Sequence, residues 1–265
     1  MLLAVNIGNS HISAGIFNDS GALSVNFKIS TDVNKTSDEY STLIHSIISE
    51  RNFDITQVDA VIISSVVPQL TSTMLNTLMR ITGITPLIVG PGVKTGFSIK
   101  IDNPSELGAD MVANTAAVIE NQKRSGGQIS PSVIVDMNTV TTVSAVNKSG
   151  EYAGCAIFPG VQMSFDSMHG NTALLPNVML SSPQKAIGKN SQDSVRSGVI
   201  LGNAIMLDGF VYRFSREMKC KIEELNLTIT GEYAKSVINV CNSKFGYDEH
   251  LTLKGLYCIY RSNIK

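Results

Sequence analysis

Leu2-Leu3-Ala4-Val5-Asn6-Ile7-Gly8-Asn9-Ser10-His11-Ile12-Ser13-Ala14-Gly15-Ile16-Phe17 opens the chain, and the fold is decided there. Two apolar-rich runs, Leu2–Gly8 and His11–Phe17, flank Gly8-Asn9-Ser10, whose residues supply turn chemistry. That pattern predicts a hairpin. A second turn, Asn18-Asp19-Ser20-Gly21, leads into Leu23–Ile29, where Leu23, Val25 and Phe27 alternate. A three-strand meander is therefore expected at the start of the chain.

Outward from it, Thr36 with Glu39 forms a capping box for a helix carrying Tyr40, Leu43, Ile44, Ile47 and Ile48 at helical spacing. The apolar core of Val58–Val67 reads as a buried strand. Pro68 opens another helix with Leu70, Met74, Leu75, Leu78 and Met79 on one face, and Pro86–Val89 is a further strand. Asn103-Pro104-Ser105-Glu106 predicts a helix start, with the helix running to about Asn121. After Gly126-Gly127 the pattern begins again: strands at Ser132–Thr139, Thr141–Asn147 and Tyr152–Phe158, a long helix over about Gln192–Met218, a strand at Leu225–Thr230, a helix from about Glu232, and a last ordered piece at Leu251–Leu256. A meander followed by helix-strand-helix thus occurs twice. Such duplication is the plan of the acetate-and-sugar-kinase, heat-shock ATPase and actin superfamily, two ribonuclease H-like α/β lobes around a cleft. The expected lobes are 1–115, with the first hairpin, and 116–265, with the second hairpin and a dimer surface. The likeness is one of fold and assigns no chemistry.

Composition narrows the function classes. With 43% hydrophobic and 16% charged residues the chain reads as globular, and 21 basic against 22 acidic residues leave no basic excess for nucleic acid or anionic membrane. There is no Trp for base stacking, no signal-like N-terminus and no apolar run long enough for a membrane span, so a cytoplasmic protein is expected. Cys155, Cys220, Cys241 and Cys258 lie far apart with no C-x-x-C pair, which predicts reduced, mostly buried thiols rather than a zinc or disulfide framework. The four His residues show no protease or hydrolase spacing with Ser or Cys.

Chemistry is expected at the two hairpins. Asn6–Ser10 and Asp136-Met137-Asn138-Thr139-Val140-Thr141-Thr142 each place a polar residue at a strand end before a turn of small or hydroxyl residues. Such a turn is either a plain hairpin or a cradle that aims N–H groups and hydroxyls at phosphate. No G-x-x-x-x-G-K-[ST] is present, which excludes a Walker-type loop. Asp110, among Gly108, Ala109, Val112 and Ala113, is either a desolvated proton acceptor or an ordinary solvated or ion-paired helix residue. Asp136 follows Val133-Ile134-Val135 and suits either cation binding or turn formation.

At these residues the chain resembles the type III pantothenate kinases. Their D-x-G-N-[ST] is similar to Asn6–Ser10, S-x-V-P to Ser65-Val66-Val67-Pro68, P-G-x-x-T-G to Pro91–Gly96, G-A-D-R to Gly108-Ala109-Asp110-Met111, and D-x-G-T-A-x-T to Asp136–Thr142. The block G-G-x-I-x-P-G resembles Ala153–Gly160. Thr172–Pro176, Ile187–Ser191 through Gly198, and Leu251–Leu256 also fit, so the landmarks span nearly the whole chain in order. The resemblance implies ATP-dependent phosphorylation of pantothenate, the first step towards coenzyme A. It implies nucleotide contacts at Asn6, Ile7, Gly8, Asn9, Ser10, His11, Ile12, Ser13 and Thr139, with Mg²⁺ accompanying ATP. It implies Asp110 as the base, Asp136 as ligand of a monovalent cation (K⁺ or NH₄⁺), and substrate contacts at Ile101, Gly108, Ala109, Asp110, Met111 and Ser191. A homodimer is implied as well.

Five positions depart from the family pattern: Asn6 for Asp, Ile101 for Tyr, Met111 for Arg, Asn138 for Gly, and Glu232 for the second Gly of T-G-G. Loss of one preorganised electrostatic contact typically costs about 10²–10³ in rate. A charged hydrogen bond is worth roughly 1.5–3 kcal/mol. Together Asn6 and Met111 would lower activity by something like 10³–10⁵ if the two effects are independent. Asn138 is expected to tolerate a positive φ, and Glu232 either repels ATP or faces solvent. A second reading is therefore a paralogue that keeps the fold and acts as a nucleotide- or pantothenate-binding regulatory protein.

Overall fold

The structure, a computed structural model, describes residues 1–183 and 185–264. β1 (Leu2–Ile7) and β2 (His11–Phe17) pair antiparallel with Asn6 opposite Ser13, and β3 (Leu23–Ser30) completes the meander. α1 (Ser37–Glu50) starts at the expected capping box: Thr36 Oγ1 accepts from Glu39 N–H, and the Glu39 carboxylate accepts from Thr36 N–H at 2.8 Å. β4 (Ala60–Ser65) returns parallel to β1, putting Ser64 beside Asn6. α2 (Pro68–Thr82) and β5 (Leu87–Ile88) follow, giving the sheet order β3-β2-β1-β4-β5. Leu3, Val5 and Ile7 meet Tyr40, Ile44, Ile48, Leu70, Met74 and Leu78 in one core. The Ala60–Ile63 run is apolar throughout because a parallel strand covered on both faces has no solvent side.

The second sheet repeats the plan. β6 (Ser132–Met137), β7 (Val140–Val146) and β8 (Tyr152–Pro159) form a meander, and β9 (Asn226–Thr230) and β10 (Gly246–Tyr247) add in parallel beside β6. Its order, β10-β9-β6-β7-β8, matches β5-β4-β1-β2-β3 position for position. The duplicated acetate-kinase and actin-type α/β plan is the fold of this chain. α4 (Val161–Gly170), α5 (Ser191–Arg196), a five-residue π turn at Ser197–Leu201, α6 (Gly202–Glu217) and α7 (Ala234–Ile238) complete the elements around this sheet. Val133, Val135 and Met137 pack with Val199, Ile200, Ala204 and Leu207 in its core.

Two compact units result: Met1–Phe97 with Asp102–Asn121 and His250–Lys265, and Ser98–Ile101 with Gln122–Glu249. The last helix, α8 (Leu251–Asn263), belongs to the first unit, where it packs on β1, β2 and β4; the expected lobes had placed everything after residue 115 in the second. α8 also runs well beyond the expected Leu251–Leu256.

One boundary differs in a way that matters for chemistry. Asn103 caps only a single 3₁₀ turn, Pro104–Glu106, through Ser105 N–H at 3.2 Å. Leu107 is extended and Gly108 follows, so the chain turns before α3 (Ala109–Arg124) begins. Asp110 therefore stands in the first turn of a new helix, not inside one opened by Asn103. The thiols also differ from expectation: Cys155 is exposed on edge strand β8, and Cys220, Cys241 and Cys258 are partly exposed, all four free. Among the described residues no helix is long and apolar enough to cross a membrane.

Candidate active site

In the first unit the hairpin tip is tight. Gly8 N–H donates to His11 O at 3.0 Å, and a Cβ at Gly8 would sit 3.0 Å from that same oxygen. Thr31 braces the turn from β3's end, its hydroxyl donating to Gly8 O (2.6 Å) and its N–H to Ser10 O (2.9 Å). Asn9 and Ser10 are left exposed at the tip, with His11 and Ser13 half-buried beside it. Ile7 and Ile12 are wholly buried in the core, so any role they have at the hairpin is a backbone one.

Asn6, at the end of β1, lies between Ser13 of β2 and Ser64 of β4 in register. The fully buried Ser64 hydroxyl donates to Asn6 Oδ1 at 2.6 Å. Sequence reasoning missed Ser64. Its signal was the strand-helix-strand crossover, which sets a parallel β4 beside β1 and so puts Ser64 next to the hairpin. The next residues carry the link onward. Val66 N–H donates to Ile7 O at 3.0 Å, and the Val66 side chain lies 3.7 Å from where a Cβ on Gly108 would be. The start of α3 is thus set against the strand ends that carry the hairpin.

Asp110 stands there half-buried. Burial pushes its carboxyl above the ordinary value, opposed by hydrogen bonds from the Met111 N–H and its own backbone. The Met111 N–H to Asp110 Oδ1 distance is 2.8 Å. No cation pairs with Asp110 among the described residues, so the ion-paired alternative does not describe it. Met111 is 7% exposed, and its side chain offers no donor.

In the second unit Asp136 is 6% exposed, flanked in register by Thr142 and Thr230. Asn138 Nδ2–H donates to Asp136 Oδ1 at 2.6 Å, while Asn138 Oδ1 accepts from Glu232 N–H at 3.2 Å. Asn138 has a negative φ, so the tolerance of asparagine for positive φ is not called on here. The left-handed residue is Gly231 (φ 102°), where a Cβ would lie 2.5 Å from Met137 backbone atoms. Gly160 closes on the other side: a Cβ there would overlap the Asn138 and Thr139 carbonyls. Thr139 is half-buried at the tip and Glu232 exposed beside it. Ile101 ends a short segment held to β8 through Tyr152 O and Ser98 O, with Lys100 N–H donating at 2.8 Å. Ser191 is exposed at the first position of α5, behind its cap Asn190, whose side chain accepts from Asp193 N–H at 2.9 Å.

The donor sets decide what each hairpin fits. The first, with glycine, amide and hydroxyl groups and no carboxylate between residues 6 and 13, fits phosphate oxygens and offers no anionic ligand to a divalent ion. The second does not fit a monovalent cation on Asp136 Oδ1. An N–H donor already occupies that oxygen, and a cation brought to it would face the positive end of the amide.

The profile of the family described as type III pantothenate kinase matches residues 2–213. A protein from Geotalea daltonii named type III pantothenate kinase is 37% identical over 263 residues, covering 99% of both chains. One of the same name from Pelobacter propionicus is 39% identical, covering 99% of this chain and all of its own. Among solved structures, a Baf-family protein from Campylobacter jejuni superposes with a TM-score of 0.59 at 16% identity, over 98% of each chain, and supports the fold. With a family match over residues 2–213 and full-length identity at this level, the chain belongs to the type III pantothenate kinase family.

Proposed function

We propose that this chain transfers the γ-phosphoryl group of ATP to the hydroxyl of pantothenate, giving 4'-phosphopantothenate at the head of coenzyme A synthesis in the cytoplasm. The observation that carries the reading is Asp110: a half-buried carboxylate with a raised pKa and no counter-ion, on a helix start fastened to the phosphate-type hairpin. In that role Asp110 takes the hydroxyl proton as the oxygen attacks phosphorus and ADP departs. Asn9, Ser10 and the Gly8 turn hold phosphate oxygens with neutral donors, and Thr139 contributes a hydroxyl from the second hairpin. Mg²⁺ arrives on the phosphates of ATP and neutralises their charge. Gly108, Ala109 and Met111 border the acceptor, with Ser191 and Ile101 as further substrate contacts. A homodimer suits the apolar side chains that the second unit exposes, Leu174, Met179, Ile187 and Ile205 among them.

A second reading, a nucleotide-binding protein with little transfer, is favoured by one observation. The buried Met111 leaves no donor fork for a substrate carboxylate. Mass-spectrometric detection of phosphopantothenate, from purified protein with ATP, Mg²⁺ and pantothenate, separates the two. Product that disappears with Asp110→Asn supports the kinase. No product from the native chain, with product regained in Asn6→Asp/Met111→Arg, supports the binding protein.

A further inference from the structure

We infer that the Asn138 carboxamide takes the place of a monovalent cation in this chain: its N–H hydrogen-bonds the buried Asp136 and pins the second hairpin, so that neither stability nor nucleotide binding depends on K⁺. The orientation of the amide is fixed by its two partners. A carboxylate only accepts and a backbone N–H only donates, so Nδ2 must face Asp136 and Oδ1 must face Glu232. The 2.6 Å contact is short for N–H···O, as expected when the acceptor is charged.

Three further features make this a built arrangement. Asp136 is 6% exposed, so its charge requires a partner inside the protein. Gly160 and Gly231 hold the backbone on both sides of the tip at distances no side chain would permit. Glu232 N–H, the amide's second partner, belongs to the turn that Gly231 makes possible, so Asn138 ties the hairpin to the end of β9. A glycine at 138 would remove this donor from Asp136 Oδ1 and the tie between the hairpin and residue 232. A K⁺ ion is an external ligand for a carboxylate oxygen; the amide N–H is a ligand built into the chain.

The test uses the thermal midpoint of the nucleotide-free protein in K⁺ against choline at equal ionic strength, so it holds whether or not the chain is a kinase. The expected result is no K⁺-specific shift for the native protein. Asn138→Gly and Asn138→Ala should each gain a K⁺-specific rise of roughly 2–5 °C, as for a site about tenfold above its dissociation constant. Adding Asp136→Asn to either variant should abolish the rise. A native midpoint that climbs with K⁺, or variants that stay indifferent to it, would overturn the inference. The affinity for a fluorescent ATP analogue gives a second readout that rests on the kinase reading. It should fall at least tenfold in Asn138→Gly without K⁺ and recover when K⁺ is added. Failure of ATP to bind the native chain would count against the kinase reading alone and leave the midpoint result to decide this one.

Discussion

Gly108 makes room for Asp110: a Cβ at residue 108 would lie 2.7 Å from Asp110 Oδ1. Glycine at this point lets the carboxylate fold back over its own helix start. Gly108→Ala should therefore displace the carboxylate and little else, because a side-chain end gives way more easily than backbone. The expected outcome is a fall in kcat of roughly 10–10², the penalty of a misplacement of about 1 Å, with a nearly unchanged unfolding midpoint. Steady-state kinetics beside a denaturant melt check both halves. A loss of stability with unaltered kcat would remove Asp110 from the reacting atoms.

Asp110 should also be a site where function opposes stability. Burial raises its folded pKa above the ordinary 3.8, so the folded state holds the proton more tightly than the unfolded state does. Its stabilising contribution is complete below the unfolded value and is lost as pH rises through the folded one. At neutral pH the charged carboxylate is therefore a liability. Asp110→Asn should melt higher than the native protein at pH 7, with the gain shrinking as pH approaches 4. Turnover should drop about 10²–10⁴-fold. In the native enzyme kcat should fall with acidification through that raised pKa.

Asn6 gives a prediction of the opposite kind. Its Oδ1 is held by Ser64, so the side chain stays put whether residue 6 is Asn or Asp. Asn6→Asp then adds a charge in an unchanged place. ATP binding without Mg²⁺ should weaken, since a carboxylate beside phosphate repels it. With Mg²⁺ present, turnover should rise by up to about 10²–10³. Titration calorimetry with and without the metal, together with initial rates, measures the two effects. Equal ATP affinity in both proteins at zero Mg²⁺ would place residue 6 away from the phosphates.

The contrast between these residues shows what was legible in the sequence. Apolar runs and turn chemistry located the first hairpin to within a residue, because two mostly buried strands stand out as apolar stretches on either side of Gly8-Asn9-Ser10. Gly108 was read as part of a motif but not as a helix break. Asn103-Pro104 has strong local start chemistry, but the turn it opens ends at Glu106, where Leu107 goes extended before α3 begins. Ser64, Gly160 and Gly231 act through neighbours distant in sequence, and pairwise contacts of that kind leave no periodic trace. α8 was cut short for a related reason. Its last turns, Tyr257–Asn263, mix polar and apolar residues whose burial is set by the first sheet and not by their own pattern.

α8 carries the last prediction. Gly255 lies against α3 so closely that a Cβ would overlap the Ala113 carbonyl, one turn after Asp110. Thr252 reinforces the crossing by donating to the buried Asn114 side chain at 2.8 Å. The helix that carries Asp110, the proposed base, is thus positioned by α8, and Gly255 sets the separation. Gly255→Ala must push the two helices apart, since backbone on one side cannot yield as a side chain does. Overpacking of this sort costs about 1–3 kcal/mol, so the melting temperature should fall by roughly 2–12 °C. Because α3 moves with the displacement, kcat should fall in the surviving folded protein as well. Thr252→Val should lose stability by about 1 kcal/mol through the lost hydrogen bond to Asn114, while leaving the helix spacing and kcat close to native. Equal effects of the two substitutions on kcat would mean that α8 supports α3 only as a brace, and that the close approach at Gly255 does not set the position of the base.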